Sequence, residues 1–247
     1  MSFLATISNR ISHRTVAGRL LRLPLHLVPD DLVVPVLGGI NRGMRWSAGA
    51  GPNSKCWLGT FEEDHAPALQ QLVRKGMVAY DIGANSGFYT LALSRLVGSS
   101  GKVFSFEPDA RSTYYLRRHL RLNKIENVTV VQIAISNSTG LVAFDGWKVI
   151  QSGAYVVPTI SLDEFIAAGH PEPGFIKMDI EGAEAAALQG AQQLLDSAHP
   201  NWLMATHSAE LTISCKAALA SYGYRFTGFD CVSDPGDAGD FMALCSA

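Results

Sequence analysis

The segment Met77–Leu93, MVAYDIGANSGFYTLAL, constrains the fold more than any other stretch of this chain. It reads as a buried apolar strand, a turn carrying Gly83 and Gly87, and then a helix. Glycine lets a backbone bend sharply and approach a ligand, because no Cβ intervenes. The helix that follows offers unpaired N–H groups and the positive end of its dipole. A nucleotide-like ligand suits such a turn. The spacing is not that of the dinucleotide fingerprint G-x-G-x-x-G, since Asp81 stands where the first glycine would be. A carboxylate there repels a pyrophosphate but accepts hydrogen bonds from an ammonium group. That chemistry favours a ligand joining an amino acid to a nucleoside, S-adenosylmethionine, and argues against a dehydrogenase.

From Met77 onward, short apolar strands alternate with helical stretches, which predicts an α/β fold with a doubly wound, mostly parallel sheet. The strands expected are Met77–Tyr80, Val103–Phe106, Val128–Ala134, Phe175–Met178 and Trp202–Ala205. Helices are expected over Tyr89–Val97, from Asp109 or Ser112 to about Leu122, over Thr159–Ala168, Gly182–Leu195 and Glu210–Tyr222. Leu141–Val157, with Gly146 and Gly153, reads as an inserted hairpin. Arg225–Phe229 and Phe241–Cys245 are joined by a loop too short for a crossover helix, so the last strand is expected to run antiparallel. Residues 1–60 read as an extension, a helix followed by a hairpin in Pro29–Gly59, expected to serve as a lid or a dimer contact. Residues 61–247 read as the cofactor-binding domain.

In such a sheet, ligands bind outside the carboxyl ends of the strands, at the point where strand order reverses. The first strand leads into Asp81, Gly83, Ala84, Asn85 and Gly87, and the second into Glu107, Pro108 and Asp109. Glu107 lies twenty residues beyond Gly87, a place from which a carboxylate accepts both ribose hydroxyls of an adenosine. Ala134 is small enough for an adenine ring to lie flat against it. Strand four ends in Lys177, Asp179, Glu181 and Gly182, with Lys177 and Asp179 on one face; strand five ends in Thr206, His207 and Ser208. His207 and Asp179 are the candidates for the base that takes a proton from an acceptor hydroxyl. Glu184 falls in the first turn of a helix, where it meets the dipole. A divalent cation on Asp179 and Glu181 is the alternative means of activation, but two ligands fall short of a hard-cation site, and no metal is expected.

With 47% hydrophobic and 17% charged residues in 247, the chain can bury a full core. A net charge of −2 supplies no basic field for bulk nucleic-acid binding. No apolar run reaches the length of a membrane span. Cys56, Cys215, Cys231 and Cys245 lie far apart without a C-x-x-C pair, so reduced thiols in the cytoplasm are expected rather than a zinc site or disulfides. The first 28 residues carry Arg10, Arg14, Arg19 and Arg22 among apolar residues and no acid. They are read as a helix that covers a core or meets a dimer partner, with an organellar presequence or a membrane-surface helix as alternatives.

DIGANSGFYTLAL, FEPD, LNKIENV, AISNSTG and FIKMDIEGAE together resemble the FkbM-type family of S-adenosylmethionine-dependent methyltransferases. CWLGTFEEDHAP is similar to the G-x-(Y/F)-E segment of that family. The resemblance covers roughly Cys56 to Gly228, and the first 45 residues lie outside it. It implies the class I methyltransferase sheet of seven strands, the last inserted antiparallel, and transfer to oxygen on a small molecule, often a sugar or natural-product hydroxyl. By the family pattern Asp81, Gly83, Asn85 and Gly87 lie along the methionine part, Glu107 meets the ribose, and Asp179 and Glu181 border the acceptor. Family members commonly place a Glu near the histidine where this chain has Ala205-Thr206-His207, so a base role for such a Glu does not carry over. The expected function is O-methylation of a small hydroxylated molecule. The alternatives are methylation of an RNA ribose or a protein, and a non-catalytic cofactor-binding module.

Overall fold

A computed structural model describes residues 29–51, 54–146, 148–150, 152, 155–229 and 239–245 of the chain. The helix expected within residues 1–28, and most of the loop before Phe241, lie outside the described residues. The first elements are a short antiparallel hairpin, β1 (Val33–Pro35) with β2 (Arg45–Ser47), then α1 (Lys55–Leu58) and α2 (His65–Leu72). The alternation follows as β3 (Val78–Ile82), α3 (Phe88–Val97), β4 (Lys102–Phe106), α4 (Ala110–Leu122) and β5 (Val128–Val131). An insertion holds β6 (Ala134–Ile135), β7 (Gly140–Phe144), β8 (Val149–Ile150) and β9 (Tyr155–Ile160). The chain then forms α5 (Leu162–Ala167), β10 (Phe175–Met178), α6 (Glu184–Gln189), α7 (Gln192–Ser197) and β11 (Asn201–Met204). It closes with α8 (Ala209–Ala220), β12 (Tyr224–Thr227) and β13 (Phe241–Cys245).

The main sheet has seven strands in the order β12-β13-β11-β10-β3-β4-β5. Its strands pair in parallel except β13, which is antiparallel to both neighbours, as the short final connection requires. This is the class I methyltransferase arrangement. Order reverses beside β3, which sits between β4 and β10, so their carboxyl ends frame the crevice where such sheets take ligands. The central strands are buried on both faces and therefore read as apolar runs, with β10 buried at all four positions. Helix starts follow the side-chain chemistry. Asp109 accepts from the Ser112 N–H at 2.7 Å, Ser208 from the Leu211 N–H at 3.1 Å, and Ser161 with Glu164 closes a capping box on α5.

One hydrophobic cluster gathers Tyr80, Phe104, Phe106, Phe165 and Trp202. A second gathers Leu91, Val103 and Leu116 with Val36, Trp46 and Cys56 from the first sixty residues. The hairpin thus shares a core with the sheet. Among the described residues no helix is long and apolar enough to cross a membrane.

Four expected elements differ in the structure. The third strand stops at Val131, and Ala134–Ile135 instead pairs in parallel with β9, in a separate four-stranded sheet of order β6-β9-β7-β8. The inserted hairpin is therefore part of a larger mixed sheet, and Thr159 and Ile160 belong to its last strand rather than to a helix. The helix expected over Gly182–Leu195 is two helices. Asp163 donates its N–H to Gly190 O at 2.9 Å, and its carboxylate takes the N–H groups of Gln193 and Leu194, both at 3.0 Å. That side chain from α5 caps a new helix start, which local propensity in an alanine-rich run does not reveal.

Candidate active site

A cavity of about 270 Å³ opens at the carboxyl ends of β3, β4 and β10. Gly83, Ala84, Asn85, Glu107, Pro108, Ala134, Asp179 and His207 line it, so eight of the expected site residues share one wall system. Asp81 and Gly87 do not.

The turn after β3 is built by tight geometry. Gly83 has φ +78°, and a Cβ there would fall 1.8 Å from the Asp179 carbonyl oxygen, where no rearrangement of a side chain gives relief. Gly83→Ala is expected to destabilise the fold by more than about 2 kcal/mol, through the positive φ and the backbone clash together, read as a lowered urea midpoint. Gly87, φ +97°, would drive a Cβ to 2.5 Å from Leu116 Cδ1, so its task is to let α3 pack on α4. Asn85 takes the left-handed region at φ +46°, and its Oδ1 accepts from the Ser86 N–H at 2.6 Å. Buried His119 supports the turn from behind. It donates from Nδ1 to Ser86 O at 2.8 Å and accepts at Nε2 from the Ser47 N–H at 2.9 Å. Burial lowers its pKa to about 4, so the neutral ring ties the hairpin to the turn.

Glu107 is the best-fixed carboxylate of the rim. Its Oε2 accepts from the Asn85 N–H at 2.7 Å and its Oε1 from the Asp109 N–H at 2.8 Å. Burial raises its pKa to about 7, against those bonds. Ile133, Ala134, Ile135 and Phe144 form an apolar wall beyond it, the last three from the inserted sheet.

Asp81 lies beneath the turn rather than in the cavity. It is fully buried, its Oδ2 accepts from the Thr90 hydroxyl at 2.5 Å, and its Oδ1 has no hydrogen-bond partner among the described residues. Lys177 Nζ, on the neighbouring strand at the paired position, lies 3.9 Å from it and 3.6 Å from Asp179, and donates to Gly83 O at 3.2 Å. Lys177 thus neutralises two acids at once.

Across the cavity, His207 Nε2 lies 3.0 Å from Asp179 Oδ1 and 3.5 Å from Glu181 Oε2. The Asp179 hydrogen bond, helped by the charges of Glu181, Asp179 and Glu184 against partial burial, raises the His207 pKa to about 9. Asp179 is held below the usual carboxylate range: burial opposes this, but Lys177 and His207 outweigh it. Asp179, Glu184 and His207 bring possible cation ligands within 4.8 Å of one another. Both Glu184 oxygens, however, already accept backbone N–H groups of the turn before α6, from Ile180 and Gly182 at 3.0 Å each. No cation is assigned there.

Sequence reasoning left Phe61, Glu62 and Tyr89 of this wall without a role, although GTFE was among the motifs quoted. Phe61 and Glu62 reach the site from a loop before the sheet and Tyr89 from the first turn of α3, and chain order gives no signal that they meet.

The comparisons with known proteins agree with this geometry. The family model of the methyltransferase FkbM domain matches residues 81–226. Hexuronic acid methyltransferase AglP of Haloferax volcanii is 28% identical over 145 residues, which are 55% of this chain and 59% of that protein. The chain thus spans about three fifths of that relative's length. The crystal structure of methyltransferase FkbM from Methylobacillus flagellatus KT superposes with TM-score 0.52 at 22% identity, covering 68% of this chain and 43% of that one. A precorrin-6y C5,15-methyltransferase from Geobacter metallireducens GS-15 gives TM-score 0.52 at 15% identity, covering 80% and 94%. At these identities the likeness establishes the fold.

Proposed function

The chain belongs to the family defined by the methyltransferase FkbM domain, and on that premise we propose that it methylates a hydroxyl oxygen of a small acceptor, a sugar foremost, using S-adenosylmethionine. The observation that carries this reading is Glu107, clamped by two backbone N–H groups beside a glycine turn at the switch point. A carboxylate so fixed suits a ribose diol, and the apolar wall behind it suits an adenine. The sugar preference draws on the printed substrate of the AglP relative.

The cofactor supplies an activated methyl group on a sulfonium. The chain's own part is then to hold the acceptor oxygen in line, exclude water and take its proton. His207 is the better base. Asp179 is held below the usual carboxylate range and would accept a proton weakly, whereas the imidazole, raised to about 9, is the stronger base once it is neutral. With Nε2 held by Asp179, Nδ1 remains to receive the proton. Asp179 acts as the orienting group.

The test is calorimetric titration with S-adenosylhomocysteine. Micromolar binding is expected, lost in Glu107→Ala; absence of binding to the folded wild type sinks the reading. Affinity should also depend on pH with a defined sign. Ribose hydroxyls donate to an ionised Glu107, whose free pKa is about 7, so binding should weaken by up to tenfold per unit below that and level off above it. Affinity unchanged between pH 5.5 and 8 would remove Glu107 from the site.

A further inference from the structure

We propose that Glu62, not Asp81, receives the α-ammonium group of the cofactor's amino-acid end. This inference rests on the cofactor reading above and identifies a ligand within it. Asp81 is fully buried beneath the glycine turn, already beside Thr90 and Lys177, and absent from the cavity lining. Four carboxylates do line the cavity: Glu62, Glu107, Asp179 and Glu181. Glu107 has both oxygens on backbone N–H groups at the ribose end of the turn. Asp179 and Glu181 face His207, and Asp179 faces Lys177 as well. Glu62 differs, because its Oε2 is anchored and its Oε1 has no partner among the described residues.

The anchoring is elaborate. Tyr89, in the first turn of α3, donates its hydroxyl to Glu62 Oε2, and His65 meets both that hydroxyl and the same carboxylate. Lys177 lies 4.8 Å from the Tyr89 ring centre, and Phe61 packs edge-on against Phe88 at 4.9 Å. These contacts fix the loop to α3, so that Glu62 lines the same cavity as the turn at Gly83–Ser86, where the amino-acid end of the ligand must lie if Glu107 takes the ribose. Glu62 itself sits at φ +44°, a strained conformation for a non-glycine residue that packing on both sides sustains. Burial pushes its carboxyl up, but the His65 and Tyr89 bonds and the Lys177 charge prevail and keep it ionised. An anion held in place with one oxygen free is what an ammonium group needs.

The experiment is a cycle of calorimetric titrations on the full chain. Wild type and Glu62→Gln are each titrated with S-adenosylhomocysteine, its analogue lacking only the amino group, and 5′-methylthioadenosine. Glu62→Gln should weaken S-adenosylhomocysteine binding about 10- to 100-fold, the worth of one charge-assisted bond. Methylthioadenosine, which lacks the amino-acid end, should bind both proteins within about twofold. The deamino analogue should lose the same factor on wild type and nothing further on the variant, which marks direct coupling. Wild type losing no affinity for the deamino analogue overturns the proposal even if the variant misfolds. Equal losses for all three ligands would make Glu62 a latch for the loop and overturn it too. If wild type binds none of them, the cofactor reading itself has failed and this inference falls with it.

Discussion

Lys177→Met is expected to destabilise the protein by about 3–5 kcal/mol, the usual cost of removing one partner from a buried ion pair. The side chain is 4% exposed and stands between Asp81, itself wholly buried, and Asp179. Methionine fills much of the same volume, so packing loss is small and the stranded charge dominates. Asp81 would then have the Thr90 hydroxyl for support and no cation. The loss should depend on pH with a definite sign. Burial already raises the Asp81 pKa above its unfolded value, despite the opposing pull of Lys177 and Thr90. A carboxyl with a raised folded pKa costs stability as pH rises through and above its unfolded value near 4, because folding must then hold or bury the charge. Urea unfolding should therefore show the variant closer to wild type at pH 5 than at pH 8. Adding Asp81→Asn should restore part of the loss, since the buried charge is gone. A loss under about 1 kcal/mol, or one that grows toward acid, would contradict the role assigned to Lys177.

That ion pair also shows where the sequence was legible and where it was not. The sheet could be read because apolar strands and helical stretches alternate, and strand ends then name the rim by rule. Gly83, Asn85, Glu107, Asp179 and His207 meet at one cavity for that reason. The side of the rim that each carboxylate faces was not readable. Asp81 is the paired neighbour of Lys177 on adjacent strands and turns inward to it, a fact of register between residues 96 positions apart. Glu62 arrives from a loop whose place at the cavity is set by Tyr89 and His65, through contacts between side chains rather than by any period along the chain. The break between α6 and α7 has the same origin, a cap from Asp163 on another helix. Short-range pattern gave the frame, and long-range polar contacts decided the details within it.

His207→Gln is expected to lower kcat by about 10²- to 10⁴-fold while leaving S-adenosylhomocysteine binding nearly unchanged, as loss of a general base should. Glutamine keeps the size and a hydrogen bond to Asp179 but cannot take a proton at neutral pH. The Asp179 bond raises the imidazole pKa to about 9, so the free enzyme holds His207 mostly protonated at pH 7. A base must be neutral to act. The wild-type kcat/KM should then climb about tenfold per pH unit and flatten above pH 9, and the variant should lack that limb. The rate is read as S-adenosylhomocysteine released with a panel of hydroxylated small molecules as acceptors. The ring can also be titrated directly by NMR in the absence of any acceptor. Asp179→Asn removes the charge that raises this pKa and leaves at most a neutral acceptor for Nε2–H, with the weaker influence of Glu181 and Glu184 against partial burial. The His207 titration should therefore fall toward the ordinary histidine value of about 6.5 in that variant. An imidazole that titrates below 6.5 in the wild type would break the coupling to Asp179, and a rate independent of His207 would move the proton elsewhere. Both results in hand as expected would fix the acceptor side of the cavity, opposite the turn proposed to hold the cofactor.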